Sequence, residues 1–167
     1  KLPRVGTSVF SHFTKLAIAN DAINLGQGFP DFEPDARLLE CVTKSIVNAS
    51  HQYAPMQGNQ KLREIISQQR LYEGLETEPN TEITITAGGT QAIFTVISAY
   101  VRPGDKVMVF EPLCDSYIPA IEVNGGIPVI VTTVPPFFKI DWQEVEDKIK
   151  DCKLLLINTP GNPSGKV

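Results

Sequence analysis

No stretch of this sequence is long and apolar enough to cross a bilayer. Its longest purely aliphatic run is Leu154 to Ile157, against the roughly 20 residues a spanning helix requires. No apolar signal-peptide core opens it either. Cysteine is scarce: Cys41, Cys114 and Cys152 are odd in number, widely spaced and without a CxxC pair. Neither a disulfide framework nor a metal site is expected, and a reduced, cytoplasmic setting is. His12 and His51 stand far apart with no ligand spacing around them. An excess of one charge is also lacking. Fifteen basic residues face nineteen acidic ones, for a net charge of -4, with no basic stripe. That leaves no electrostatic footprint for nucleic acid. Neither a nucleic acid nor a membrane is an expected partner. Internal repeats and low-complexity segments are absent.

What remains is a globular composition. The 167 residues equal one ordinary domain in length, 42% are hydrophobic, and the 13 prolines and 12 glycines are scattered, which excludes disordered, collagen-like and coiled-coil chains. The chain opens at Lys1 without a methionine and stops at Val167 just after a Gly- and Pro-rich turn, so both ends are expected to be cut.

Residues 1–34 read as irregular, ending in the turn-rich Gly26 to Pro34. Asp35 is placed to cap a helix whose Leu39, Val42 and Ile46 share a face. Leu62, Ile65, Ile66 and Gln69 predict a second helix to about Tyr72, stopped by Gly74. Beyond Gly74 the pattern alternates. Short strands are predicted at Glu82–Thr86, Lys106–Phe110, Ile127–Thr132 and Leu154–Ile157. Helices are predicted at Gln91–Val101 and Ser116–Val123. A third runs from Asp141 to about Lys150, with Asp141 and Glu144 forming a capping box. Such alternation predicts an α/β layer with a largely parallel sheet, in which ligands bind beyond the carboxyl ends of the strands.

Two polar, Gly-rich loops follow strands directly. In Ala87-Gly88-Gly89-Thr90-Gln91 the glycines let backbone N–H groups approach an anion at a helix N-terminus, and Thr90 can both cap the helix and donate to a phosphate. The spacing is neither the Rossmann nor the Walker pattern. The plain alternative is a tight strand-to-helix turn. In Asn158-Thr159-Pro160-Gly161-Asn162-Pro163-Ser164-Gly165 the prolines stiffen a platform for aiming the Asn162 amide. Its plain alternative is an Asx turn. Tyr53, before Pro55 and Gly58, reads by itself as a packed ring with a solvated hydroxyl.

Taken in order, these motifs resemble the fold-type-I, pyridoxal-phosphate-dependent class I/II aminotransferases. The resemblance covers nearly the whole chain. It runs through Asn24-Leu25-Gly26-Gln27-Gly28-Phe29-Pro30-Asp31, then Tyr53-Ala54-Pro55 with Gly58 and Leu62-Arg63-Glu64. It continues through Thr86 to Ala92, Glu111-Pro112 with Asp115-Ser116-Tyr117, and Asn158 to Val167. The Gly-Gln-Gly-Phe-Pro and Asp-Ser-Tyr wording is most similar to the kynurenine/glutamine/methionine branch.

The resemblance implies the N-terminal part of an α/β/α large domain with a mostly parallel sheet, truncated. Residues 1–48 would form an arm and the start of a small domain, and residues 49–167 the first part of the large cofactor-binding domain. It implies pyridoxal 5'-phosphate as cofactor. Gly89, Thr90 and Gln91 would cradle the phosphate, and Asn162 would bond the ring's phenolic oxygen. Tyr53 would reach the phosphate of a neighbouring subunit, because such active sites are shared across a homodimer. Gly28 would face the substrate carboxylate through its N–H.

Cys114 departs from the pattern, which usually has an aromatic ring stacked on the cofactor there. Either the thiol packs on the ring, with Tyr117 compensating, or Cys114 is a small buried hydrophobe. The family's Schiff-base lysine, pyridinium-pairing aspartate and carboxylate-binding arginine are expected beyond Val167, so no catalytic residue is assigned here, and Lys166 reads as a solvated charge. The implied activity moves an amino group between an amino acid (aromatic, sulfur-containing or glutamine-like) and a 2-oxo acid, with the 167 residues alone inactive. Two alternatives share the motifs: a cysteine-sulfur β-lyase on the same scaffold, and a non-catalytic cofactor-binding regulatory module.

Overall fold

The computed structural model describes residues 6, 8–28, 30–49 and 51–167. Phe29 of the Gly26–Asp31 motif, and most of the first residues, lie outside the described residues. Two compact units divide the chain, one holding residues 9–86 and the other residues 87–167. This division falls elsewhere than the 48/49 boundary of the family pattern.

The first unit is helical. Its opening helix α1 (Val9–Ala19) corrects the irregular reading of residues 1–34. The signal was present, since Val9, Phe13 and Leu16 recur at helical spacing. In α2 (Ala36–Asn48) the Asp35 carboxylate accepts the Arg37 N–H, as expected of a cap. Its Leu39, Val42 and Ile46 stripe is exposed. Helix α3 (Gln60–Tyr72) starts at Asn59, whose side chain accepts the Leu62 N–H, and Gly74 follows it with φ +81°. The expected strand Glu82–Thr86 does not form. A strand needs a partner ladder, and here Ile85 finds a single backbone acceptor, the Gln57 carbonyl at 2.9 Å.

The second unit is a three-layer α/β/α sandwich. Its strands β1 (Lys106–Glu111), β2 (Ile127–Thr132) and β3 (Cys152–Leu155) are all parallel, in the order β2-β1-β3. Central β1 buries Val107, Met108 and Val109 completely, the continuous apolar run expected of a strand covered on both faces. Val107 and Val109 face α4 (Gly89–Tyr100) and α5 (Tyr117–Val123) through Ile97, Val101, Ala120 and Ile121. Met108 faces α6 (Trp142–Ile149) through Val145.

The capping box of α6 is only half formed. Asp141 accepts the N–H groups of Gln143 and Glu144, but the Glu144 carboxylate turns outward to Lys148. Strand β3 begins two residues before its expected start because its first part pairs with β1 across a register shift. Lys106 pairs with Cys152 and Val107 with Leu154, so Lys153 is the extra residue of a bulge.

The Lys153 ammonium lies 2.7 Å from the Asp105 carboxylate, which also accepts the Arg102 N–H at 2.7 Å. The hydrogen bond from Lys153, then that from Arg102, hold the Asp105 carboxyl below its ordinary range. A carboxyl whose folded value is depressed stabilises the fold above its unfolded value and ceases to do so as pH falls through the folded one. Asp105→Asn is therefore expected to lower the denaturation midpoint at neutral pH and to match the parent chain in strong acid. Urea melts at the two conditions check this; an equal loss at both would refute it.

Candidate functional site

The carboxyl ends of the three strands and the loops that leave them enclose a cavity of about 690 Å³. Phe110, Pro112, Leu113 and Tyr117 line it from the β1 side, Thr133 from the β2 side, and Leu155 to Thr159 with Asn162 and Ser164 from the β3 side. This is where an open parallel sheet binds ligands. Most of the wall is apolar, so the few amides and hydroxyls in it set the orientation of anything bound.

The Asn158–Gly165 loop is built to aim one of those amides. The Asn158 side chain accepts the Asn162 N–H at 2.7 Å. Gly161 donates to the Lys166 carbonyl at 2.8 Å, and Gly165 to the Gly161 carbonyl at 2.6 Å. A Cβ on Gly161 would stand 2.6 Å from the Ser164 hydroxyl, so a larger residue there would have to turn that hydroxyl aside. Both prolyl bonds in the loop are cis. The Asx interaction expected as the plain alternative does occur, but Asn158 makes it. Asn162 is thereby fixed by its backbone, and its side-chain amide faces the cavity without a hydrogen bond among the described residues. Asn158 was readable as this anchor, since it sits four residues ahead in a proline-bounded turn.

At the head of α4, Gly88 adopts φ 85° and ψ 167°, a region open essentially to glycine alone. The first intrahelical bond runs from the Ala92 N–H to the Gly88 carbonyl. The amides of Gly89, Thr90 and Gln91 therefore have no intrahelical acceptor. Thr90 does not cap the helix, because it is already the second helical residue and Gly88 holds the cap position. Its hydroxyl is exposed. The Gln91 side chain accepts the Ala87 N–H at 2.5 Å and closes the turn. Space beside Gly88 and Gly89 is open, a Cβ on either meeting nothing within 4 Å. Three amides without an intrahelical acceptor, at a positive helix end, fit a phosphate group. Ile93, one turn further on, packs against the same core cluster as Leu113 and Leu156, which lead into the other two loops.

Cys114 is half-buried, with its sulfur 3.4 Å from the Ser116 hydroxyl and 3.8 Å from an Asp115 carboxylate oxygen. The buried-hydrophobe reading of this thiol therefore fails. Tyr117, three residues on, lines the cavity instead. Burial, and then the electrostatic influence of neighbouring Cys114, push the Tyr117 hydroxyl above its ordinary value, so it stays a protonated donor at neutral pH.

Gly89, Thr90, Gln91, Cys114 and Asn162 all belong to the second unit, and Gly28 and Tyr53 to the first. Gly28 is exposed. Tyr53 is 103% exposed, so its ring is not packed as the single-residue reading would have it. Among the described residues no cluster of histidine, cysteine and carboxylates is arranged to hold a metal.

The sequence pattern of the family described as aminotransferase class I and II matches residues 20–167. The methionine aminotransferase of Escherichia coli (strain K12) is 45% identical over all of this chain and 44% of its own length. A kynurenine–oxoglutarate transaminase of Dictyostelium discoideum is 36% identical, covering 97% of this chain and 41% of its own. The crystal structure of a methionine aminotransferase from Escherichia coli superposes with a TM-score of 0.93 at 44% identity, over 99% of this chain and 44% of that one. The chain thus spans less than half the length of the relatives it matches.

Proposed function

Because this chain belongs to the class I and II aminotransferase family, we propose that it is the N-terminal portion of an enzyme that transfers an amino group from an amino acid to a 2-oxo acid. The cofactor is pyridoxal 5'-phosphate, and the amino donors are aromatic, sulfur-containing or glutamine-like. The observation that carries this reading is the head of α4, where the glycine-only backbone of Gly88 starts a helix whose Gly89, Thr90 and Gln91 amides have no intrahelical acceptor.

When bound, the cofactor supplies an electron sink for the substrate's α-carbon. The chain's own residues orient the reactants. Gly89, Thr90 and Gln91 hold the phosphate through their N–H groups, with the Thr90 hydroxyl as a further donor. Asn162, held from behind by Asn158, donates its amide to the ring's phenolic oxygen. Tyr117 would present the aromatic face that Cys114 cannot, and the Cys114 thiol would pack against the cofactor. Gly28 offers its N–H to the substrate carboxylate. Tyr53, fully exposed within these 167 residues, reaches the phosphate site of a second subunit in a homodimer. Residues 1–48 serve as the arm and the start of a small domain, and residues 49–167 as the first part of the large one. The three free thiols support a reducing, cytoplasmic setting, and no described helix is long and apolar enough to cross a membrane.

The relatives reported above are named aminotransferases or transaminases, which sets the β-lyase and regulatory readings behind. The test is to supply the full-length protein with methionine and a 2-oxo acid, and separately with cystathionine. Amino transfer to the acceptor is expected. Pyruvate and ammonia from cystathionine without an acceptor would overturn the proposal in favour of the lyase. A further expectation concerns Asn162→Ala, which removes one hydrogen bond to a charged oxygen and should weaken cofactor binding about tenfold. Equilibrium titration of the apoenzyme measures it, and unchanged affinity would remove Asn162 from the site.

A further inference from the structure

Among the described residues the first unit buries one charged side chain, Arg63, at 5% exposure. Its surroundings are unusual. No carboxylate pairs with it among the described residues. Its guanidinium donates instead to three neutral oxygens: the Gly58 carbonyl at 3.3 Å, the Pro79 carbonyl at 2.5 Å, and the Gln60 side-chain oxygen. Burying a cation without an anion costs several kcal/mol unless its donors are well satisfied, and an apolar side chain of similar volume often serves stability as well or better. A planar fork of donors, however, fixes direction in a way no apolar group can.

The object held is the turn that follows Tyr53. Gly58 closes it by donating to the Pro55 carbonyl at 2.8 Å, and the Gln57 carbonyl accepts the Ile85 N–H at 2.9 Å. Gly58 has φ +94°, and a Cβ there would stand 2.5 Å from that of Ile85. The turn is thus gripped by Arg63 on one side and abutted by Ile85 on the other. Tyr53, two residues ahead of Pro55, is fully exposed within these 167 residues. A turn clamped this firmly fixes the direction in which the Tyr53 side chain leaves it.

The geometry points to Arg63 as the positioning residue that sets the reach of the Tyr53 hydroxyl to the cofactor phosphate. This rests on the role proposed above for Tyr53. Arg63 touches neither cofactor nor substrate; it acts through the Gly58 turn.

The test is a double-mutant cycle on cofactor affinity in the full-length protein, titrating apoenzyme with pyridoxal phosphate and recording thermal melts of each apo form. Tyr53→Phe is expected to weaken binding about tenfold, the worth of one hydrogen bond to a charged group. Arg63→Met is expected to weaken it by a similar factor, and the double variant no further, because both changes abolish the same contact. Arg63→Lys should not restore affinity, since an ammonium cannot span the three oxygens. Where Arg63→Met does not fold, Arg63→Lys carries the same comparison.

An arginine with only a structural role would lower the melting temperature and would weaken binding just as strongly in the Tyr53→Phe background. Factors that multiply to about a hundredfold would therefore overturn the inference, as would an Arg63 variant that binds like the parent while Tyr53→Phe does not. If Tyr53→Phe itself leaves affinity unchanged, the role proposed for Tyr53 falls first and this inference with it.

Discussion

Gly88→Ala is expected to weaken pyridoxal-phosphate binding by the full-length enzyme about a hundredfold. Two costs combine. The backbone at φ 85° and ψ 167° is nearly closed to a residue with a Cβ, at roughly 1–3 kcal/mol. Space is not the obstacle, since a Cβ there meets nothing within 4 Å. The chain therefore relieves the strain by rotating the peptide at the head of α4, which turns the amides of Gly89 and Thr90 off their target. A hydrogen bond to a charged group contributes roughly 1.5–3 kcal/mol, and about 2.7 kcal/mol corresponds to a hundredfold. Titrating apoenzyme with the phosphorylated cofactor and with phosphate-free pyridoxal separates the effects. The loss should be confined to the phosphorylated form. An equal loss for both would mean that the turn shapes the whole cavity rather than the phosphate cradle.

The second large effect is a complete loss. The 167-residue chain alone, given cofactor, methionine and a 2-oxo acid, is expected to transfer amino groups no faster than free cofactor in solution. It spans 44% of the length of the methionine aminotransferase it resembles, and the groups it brings to the cavity bind and orient without moving a proton. Lys139 and Lys166 are the lysines at that cavity, and both are exposed. Neither has the surroundings that activate a nucleophilic lysine, which are desolvation in an apolar pocket or an adjacent cation. Chromatography of the amino-acid products gives the rate. Borohydride reduction followed by peptide mapping shows whether either lysine carries the cofactor. Turnover like that of a whole enzyme, or stoichiometric labelling of Lys166, would sink the expectation.

The central layer of the second unit was readable because β1 and β2 are apolar, β-branched runs bounded by turns, and a strand buried on both faces leaves that plain mark. The Ile83–Ile85 segment bears a similar mark without becoming a strand. Strand formation needs a second chain segment, and propensity cannot report whether one is there. Helix α1 leaves a weaker trace, because its Val9, Phe13 and Leu16 spacing runs into the turn-rich Gly26–Pro34 stretch without a glycine or proline to mark its end.

The site divides in the same way. Gly88, Gly89 and Asn162 could be picked out because an unusual backbone or a proline-bounded loop leaves a trace in residue type. The half-formed α6 capping box depended on a choice by Glu144 between its own N-terminus and Lys148, and local sequence permits both. In the sequence Arg63 is one residue of a Leu-Arg-Glu pattern and nothing more. That its guanidinium is buried against carbonyls at positions 58 and 79 is a fact of tertiary folding.

The Asn162–Pro163 pair also bears on how the protein ages. Asparagine side chains deamidate when the following backbone nitrogen attacks them and closes a succinimide ring. A proline nitrogen carries no hydrogen, so Asn162 cannot follow that route. The amide assigned to the cofactor is protected from spontaneous conversion to a carboxylate, whose charge would repel the phenolic oxygen it is meant to hold. Asn124 has no such shelter. It precedes Gly125, whose lack of a side chain eases ring closure, and it is restrained by its bond to the Ala120 carbonyl at 2.8 Å and by that of the Gly125 N–H to the Glu122 carbonyl at 3.0 Å. Chemical wear should therefore begin at the C-terminal end of α5, leaving Asn162 unaltered.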